Sequence, residues 1–319
     1  MPLTLEQYAQ YLDTRSDLVW PDPPQIKAPK AKPHFEFMPE IRAVTWSLYG
    51  TLLSIASGDL YFEHPQKFTM EIALDKTIQE FNMWGSMPRK PGQPGEYLKP
   101  VYLQLVADQS RLSQSGLKHP EVATERVWEG VLKKLLQKDY RFDPGFYGAL
   151  NEFSCKIAYF FHRSLQGTAC QPKAAAALQT VKSRRQVQAL IADAQCFSSV
   201  QLQRNLQAQD PSARVQQWID LGVSALSYRV GTRKPSDRLF RETLDALKER
   251  GIAPEQVLHV GSRISLDVAP ARKLGMRTAL FAGDSESLEA TAEQLRTPAT
   301  RPDALITELD QIGEIVPVA

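Results

Sequence analysis

From Val187 onward the chain alternates between short apolar runs and longer stretches of helical character, and nothing else in the sequence restricts the fold as much. The runs are Val187–Ala192, Ala225–Val230, Val257–Val260 and Arg277–Phe281, with Ala304–Ile306 as a last one. Helical stretches at about residues 198–208, 236–250, 265–274 and 286–296 separate or follow them. A strand that must wait for a helix before meeting the next strand pairs in parallel, so the pattern predicts an α/β chain with a doubly wound parallel sheet. The earlier segment Ile41–Leu48 reads the same way. It is almost continuously apolar and is punctuated by Tyr49-Gly50-Thr51, as expected of a strand covered by helices on both faces.

Between this first strand and Val187 the character is helical. Leu74, Ile78 and Phe81 form one apolar stripe, and Val127/Trp128, Val131/Leu132 and Leu135/Leu136 form a second. Leu150, Phe153, Ile157 and Phe160 form a third, and Pro88–Gly95 reads as the loop among them. The N-terminal segment 4–14 predicts a short helix, with Thr4 as its cap, Gln7 completing a capping box, and Leu5, Tyr8 and Leu12 at helical spacing. Residues 20–33 carry Pro21, Pro23, Pro24, Pro29 and Pro33 and predict an extended strap lying on the body. The expected domains are therefore residues 1–39 as helix and strap, 40–56 with 187–319 as the α/β core, and 57–186 as an inserted helical domain.

Composition narrows the classes of function. With 319 residues, 43% of them hydrophobic and 23% charged, the chain is ordinary globular material. A net charge of +2 offers no field for nucleic acid or an anionic membrane, so neither is an expected partner. Cys155, Cys170 and Cys196 show neither CxxC nor Cys/His ligand spacing, which points to reduced thiols and a cytoplasmic setting. No positively charged segment followed by an apolar core opens the chain, and charges interrupt each 18-residue apolar window.

In an open parallel sheet, ligands bind outside the carboxyl ends of the strands. The residues to inspect there are Ser47 and Tyr49, Ala192 and Asp193, Gly231 to Lys234, and Ser262 and Asp267. These positions carry a resemblance. Val44-Thr-Trp-Ser47-Leu-Tyr49-Gly50-Thr51-Leu52 resembles the first motif of the haloacid dehalogenase (HAD) hydrolases, in which an aspartate ends the strand. Val230-Gly-Thr-Arg-Lys234-Pro235 with Phe240 resembles the lysine motif, and His259-Val-Gly-Ser262-Arg-Ile-Ser-Leu-Asp267 resembles the acidic motif. Each is weak alone. Three in order, with a helical insert where the family places its cap, make a pattern over residues 40–316.

The resemblance implies a capped, Rossmann-like hydrolase fold in which a strand-end carboxylate attacks phosphorus or a halogen-bearing carbon. In phosphatase members magnesium, held by that carboxylate and the acidic motif, neutralises the oxyanion. Dehalogenase members place Tyr where phosphatases place an acid/base Asp, and need no metal. This sequence departs from the pattern at three places: Ser47 stands at the nucleophile position, Ala192 where the second motif has a hydroxyl, and Ser262 where the acidic motif begins. Lys234 and Asp267 remain, and Tyr49 matches the dehalogenase variant. No cofactor is expected, magnesium entering only if hydrolysis is retained, with Asp267 the one remaining metal candidate.

Each residue has a plainer reading beside the functional one. Lys234 is an anion-binding group or simply the partner of Asp267, because a buried lysine demands a counter-charge. Tyr49 offers a hydroxyl or packs beneath the insert. Asp193 is a displaced nucleophile or a turn residue at a strand end. Ser47 as nucleophile would need a neighbouring base, and Asp59 lies too far along the chain to replace it. With most negative charge removed around Lys234, the pocket is expected to favour small anions. Two functions follow: a pseudoenzyme that keeps the HAD-like fold as a small-anion-binding or interaction module, or an active phosphatase- or dehalogenase-like hydrolase with altered residues. The protein partner is unknown.

Overall fold

A computed structural model describes residues 1–87, 92–113 and 118–318. The chain divides into two compact units. One comprises Met1–Asp22, Leu60–Gly167 and Gln195–Val200; the other comprises Pro23–Asp59, Thr168–Ala194 and Gln201–Ala319.

The second unit holds the sheet. Its strands are β1 (Ala43–Trp46), β4 (Val187–Ala192), β5 (Ala225–Leu226), β6 (Val257–Gly261), β7 (Arg277–Phe281) and β8 (Ala304–Ile306), in the order β5-β4-β1-β6-β7-β8. Every pairing is parallel, as the alternation of elements requires. β1 lies in the middle with all four residues buried, and Trp46 sits beside Leu190 and Val260. The carboxyl ends of β4, β1 and β6 therefore lie side by side. A small antiparallel pair, β2 (Leu53–Ser54) with β3 (Ala169–Cys170), joins the chain just before it leaves this unit to the chain just after it returns.

Two sequence-derived elements come out differently. Ala225–Val230 is a strand only through Leu226, because Ser227 starts a helical turn closed by the Gly231 N–H on the Ser227 carbonyl at 2.8 Å. Residues 286–296 form turns in place of a helix. Both backbone groups of Glu289 are committed elsewhere: its N–H donates to Ser262 O (3.0 Å) and its C=O accepts from Ile264 N (2.8 Å). A helix needs those groups for its own ladder.

The first unit is helical, built from Lys67–Glu80, Pro94–Ser113, Thr124–Leu136 and Leu150–Leu165 around Tyr102, Trp128, Phe153, Phe160 and Phe161. The loop read over Pro88–Gly95 lies partly outside the described residues, and its end, Pro94 and Gly95, already opens a helix. The helix Leu5–Asp13 forms with the capping box of Thr4 and Gln7. It is no separate tail: Tyr8, Ala9 and Leu12 are buried in this core, with the Tyr8 ring 6.4 Å from Phe81 and 6.1 Å from Tyr147. Burial of three apolar residues on one stripe decides its place. The inserted segment also ends earlier than 186. Residues 168–186 belong with the sheet, where the helix Ala174–Ser183 buries Ala177, Leu178 and Val181. Among the described residues, no helix is long and apolar enough to cross a membrane.

Candidate functional site

The turn after β1 is shaped by one carbonyl and one glycine. Leu48 O accepts from the N–H groups of Thr51, Leu52 and Leu53, folding the chain back sharply. Gly50 has φ of +79°, and a Cβ there would come within 3.0 Å of Ser262 Oγ and 3.1 Å of Ser287 Cβ. Only glycine fits, both for its conformation and for the close approach of the β6 loop. Ser47 stays in register, its N–H donating to Val260 O at 2.8 Å.

Lys234 and Asp267 converge on that serine. Lys234 Nζ donates to Ser47 Oγ at 2.8 Å and to Asp267 Oδ1 at 2.5 Å. The lysine and aspartate side chains are only 2% and 3% exposed. The second oxygen of Asp267 accepts from Arg263 N at 2.9 Å, inside a π-type turn over Ile264–Val268. Of the two sequence readings of Lys234, the structure displays the pair with Asp267. Burial pushes the Asp267 carboxyl up, but the Lys234 ammonium and His259 more than compensate and hold it well below the usual carboxylate range. His259 Nδ1 pairs with Thr45 Oγ1 at 2.9 Å, while its Nε2 lies 3.7 Å from Asp267, outside hydrogen-bond reach. Burial lowers His259 to about 4, so the ring is neutral at pH 7.

The other candidates arrange themselves around this trio. Ala192 is fully buried at the end of β4 and brings no hydroxyl. Asp193 Oδ1 accepts from Lys234 N at 2.8 Å, and Oδ2 lies 3.5 Å from Arg233. Burial raises its pKa above the ordinary value, against the pull of Arg233 and Lys234. Tyr49 turns its hydroxyl to Gln201 Oε1 at 2.7 Å. Ser262 is buried with its Oγ unpartnered among the described residues.

Sequence reasoning passed over Asp59. It is remote along the chain, yet Arg263 Nη1 binds it at 2.9 Å and Arg233 lies 3.6 Å away. Arg263 also donates to Ser57 O at 2.8 Å, close to Gly58, where a side chain would collide with the guanidinium. No sequence motif announces this contact; a loop delivers it. Its consequence corrects the expected charge balance. Lys234, Arg233 and Arg263 face Asp267, Asp193 and Asp59, three cations against three carboxylates, so the centre carries no net positive charge. The depression that these residues line measures about 20 Å³, room for about one water molecule.

A doubly wound parallel sheet, an insertion after its first strand and a lysine–aspartate pair at its carboxyl edge are the features that the sequence resemblance implied. Residues 231–312, which include Lys234 and Asp267, match the family model of HAD-hydrolase-like proteins. Among solved structures, the 2-haloacid dehalogenase of Pseudomonas syringae pv. tomato DC3000 is 17% identical, with a TM-score of 0.51, and the match covers 86% of this chain and 97% of that one. The HAD hydrolase YfnB of Bacillus subtilis, solved bound to magnesium, is 13% identical with a TM-score of 0.41, over 85% of this chain and 96% of that one. No curated protein matches the chain. The fold of this chain is thus similar to that of the 2-haloacid dehalogenase.

Proposed function

We propose that the chain keeps the HAD-like fold without covalent hydrolysis and works as a binding or interaction module in the cytoplasm. The observation that carries this reading is the closed trio, in which Lys234 Nζ already binds both Ser47 Oγ (2.8 Å) and Asp267 (2.5 Å). An ammonium that donates to the serine has no lone pair with which to take its proton. His259 is neutral, but its Nδ1 is spent on Thr45. Ser47 thus lacks the base that a hydroxyl nucleophile requires. Magnesium fits poorly as well. Lys234 Nζ occupies the space between the two oxygens a dication would want, and Asp267's other oxygen holds Arg263 N. A small anion at this centre would have to displace Asp267 from Lys234, at a cost that the balanced charges do not offset.

The second reading, an active hydrolase, draws on one observation: Asp193 is a carboxylate in the same depression with a raised pKa. Assays with p-nitrophenyl phosphate and 2-chloropropionate, with and without magnesium, separate the two. Turnover should equal that of Ser47→Ala and Asp193→Asn. Activity that either substitution removes would establish a working nucleophile and overturn the proposal.

A further inference from the structure

At the opposite edge of the same sheet, where β7 and β8 begin, lies a cavity of about 410 Å³. That is ample for a small molecule, unlike the 20 Å³ at the carboxyl edge. Its floor is fixed. Asp303 Oδ2 accepts from the N–H and hydroxyl of Thr278, both at 2.9 Å. Asp303 also pairs with Arg272 at 2.9 Å and Arg277 at 3.5 Å, and Arg277 pairs with Glu40 at 3.0 Å. These two arginines are neutralised and held in place.

Two further arginines on the lining, Arg296 and Arg301, have neither an ion pair nor a side-chain hydrogen bond among the described residues. Four arginines against Glu36, Glu40 and Asp303 leave the lining with one net positive charge. Guanidinium forks match the oxygens of phosphate in a bidentate manner and lose little hydration in doing so. The rest of the lining is His34 with Phe37, Met38, Pro298 and Pro302. Phe37 lines the cavity while 58% exposed, so its ring is open to a ligand. The strap holds it there: His34 and Leu305 exchange backbone hydrogen bonds of 2.9 and 2.7 Å, and Met38 N binds Ile315 O at 2.8 Å. A ring anchored on both sides, left open beside unpaired cations, suits a flat partner with a negative end.

We propose that this cavity binds a small organic phosphate bearing a flat ring, the size of a nucleoside monophosphate, with Arg296 and Arg301 on the phosphate and Phe37 against the ring. The site is separate from the Ser47–Lys234–Asp267 centre and does not depend on its chemistry. The test is calorimetric titration of the full chain with AMP, ribose 5-phosphate, inorganic phosphate and adenosine. AMP should bind with Kd below about 1 mM, and phosphate and adenosine at least about tenfold more weakly. Arg296→Gln with Arg301→Gln, both at exposed positions, should weaken AMP at least about tenfold without lowering the melting temperature. Phe37→Ala should weaken AMP but leave ribose 5-phosphate unchanged. Absence of AMP binding, or indifference to the double arginine substitution in a chain of unchanged melting temperature, would each overturn the assignment.

Discussion

Replacing Asp267 by Asn leaves Lys234 as a buried charge without its counter-ion. At the 2.5 Å separation of Nζ and Oδ1, the gross Coulomb attraction is about 7 kcal/mol at an effective dielectric of about 20. Desolvating two ions consumes most of that, so the pair itself contributes little to net stability. Breaking it is another matter. Only uncharged acceptors, Ser47 Oγ and the asparagine amide oxygen, remain beside the ammonium, and removing the charged partner of a buried pair costs about 3–5 kcal/mol. Lys234→Met should cost a similar amount by stranding the carboxylate, although Arg263 N still holds one oxygen. In Lys234→Met with Asp267→Leu both charges go together. What remains is an orphaned Arg263 N–H and an unpaired Ser47 hydroxyl, worth about 1–3 kcal/mol. The double substitution should thus cost far less than the two single ones added. Because a chain of two units need not unfold in one step, the measurement should follow hydrogen exchange of β1 and β6 amides through a urea series. A cost below about 1 kcal/mol for Asp267→Asn, or simple additivity, would mean that the trio is not closed as described.

Further outcomes are expected elsewhere in the molecule. Burial holds His162 to about 3 and His259 to about 4 in the folded chain, while the unfolded chain takes up their protons near pH 6.5. A lowered histidine pKa means that stability is lost as pH falls from about 6.5 towards 4, at up to about 1.4 kcal/mol per pH unit in each unit, and His162→Phe should flatten the slope in the helical unit. The Asp267 carboxyl is depressed, so its contribution is present above about pH 4 and fades as pH falls further; acid unfolding of Asp267→Asn should lack that limb. Gly50→Ala, which forces a Cβ to within 3.0 Å of Ser262 Oγ at φ +79°, should cost about 2 kcal/mol or more in urea unfolding. Leu12→Ala should cost about 2–5 kcal/mol, where a loose tail would cost almost nothing. Ser47→Asp with Ser262→Asp should let magnesium at millimolar concentration raise the melting temperature, an effect absent from either single variant.

The sheet was legible because continuous burial on both faces writes itself into strands such as Ala43–Trp46 and Val187–Ala192 as unbroken apolar runs. The N-terminal helix was legible from Thr4 and Gln7, a local interaction that needs no tertiary knowledge. Its membership of the helical core was not, since nothing local to Tyr8 or Leu12 names the surface that covers them. The segment 286–296 has good helix formers, but Glu289 gives its backbone to the β6 loop, a long-range choice that propensity cannot anticipate. Asp59 was misjudged for the same reason. Distance along the chain argued against it, and a loop carried it to Arg263.

The balance of charges at the carboxyl edge explains why serines fit at positions 47 and 262. A buried lysine is tolerated only with a partner, and Asp267 alone supplies one full counter-charge at 2.5 Å. An aspartate at position 47 would place a second carboxylate next to an ammonium that is already neutralised, in a depression with room for about one water. Without a metal it would have to be protonated or pushed apart from Asp267. Serine fits because its hydroxyl accepts from Lys234 without bringing charge. At position 262 the side chain approaches Gly50 so closely that a carboxylate there would be both crowded and unpaired. The two serines are therefore best understood together: beside the Lys234–Asp267 pair they add no charge, and carboxylates at the two serine positions would need a further cation beside them.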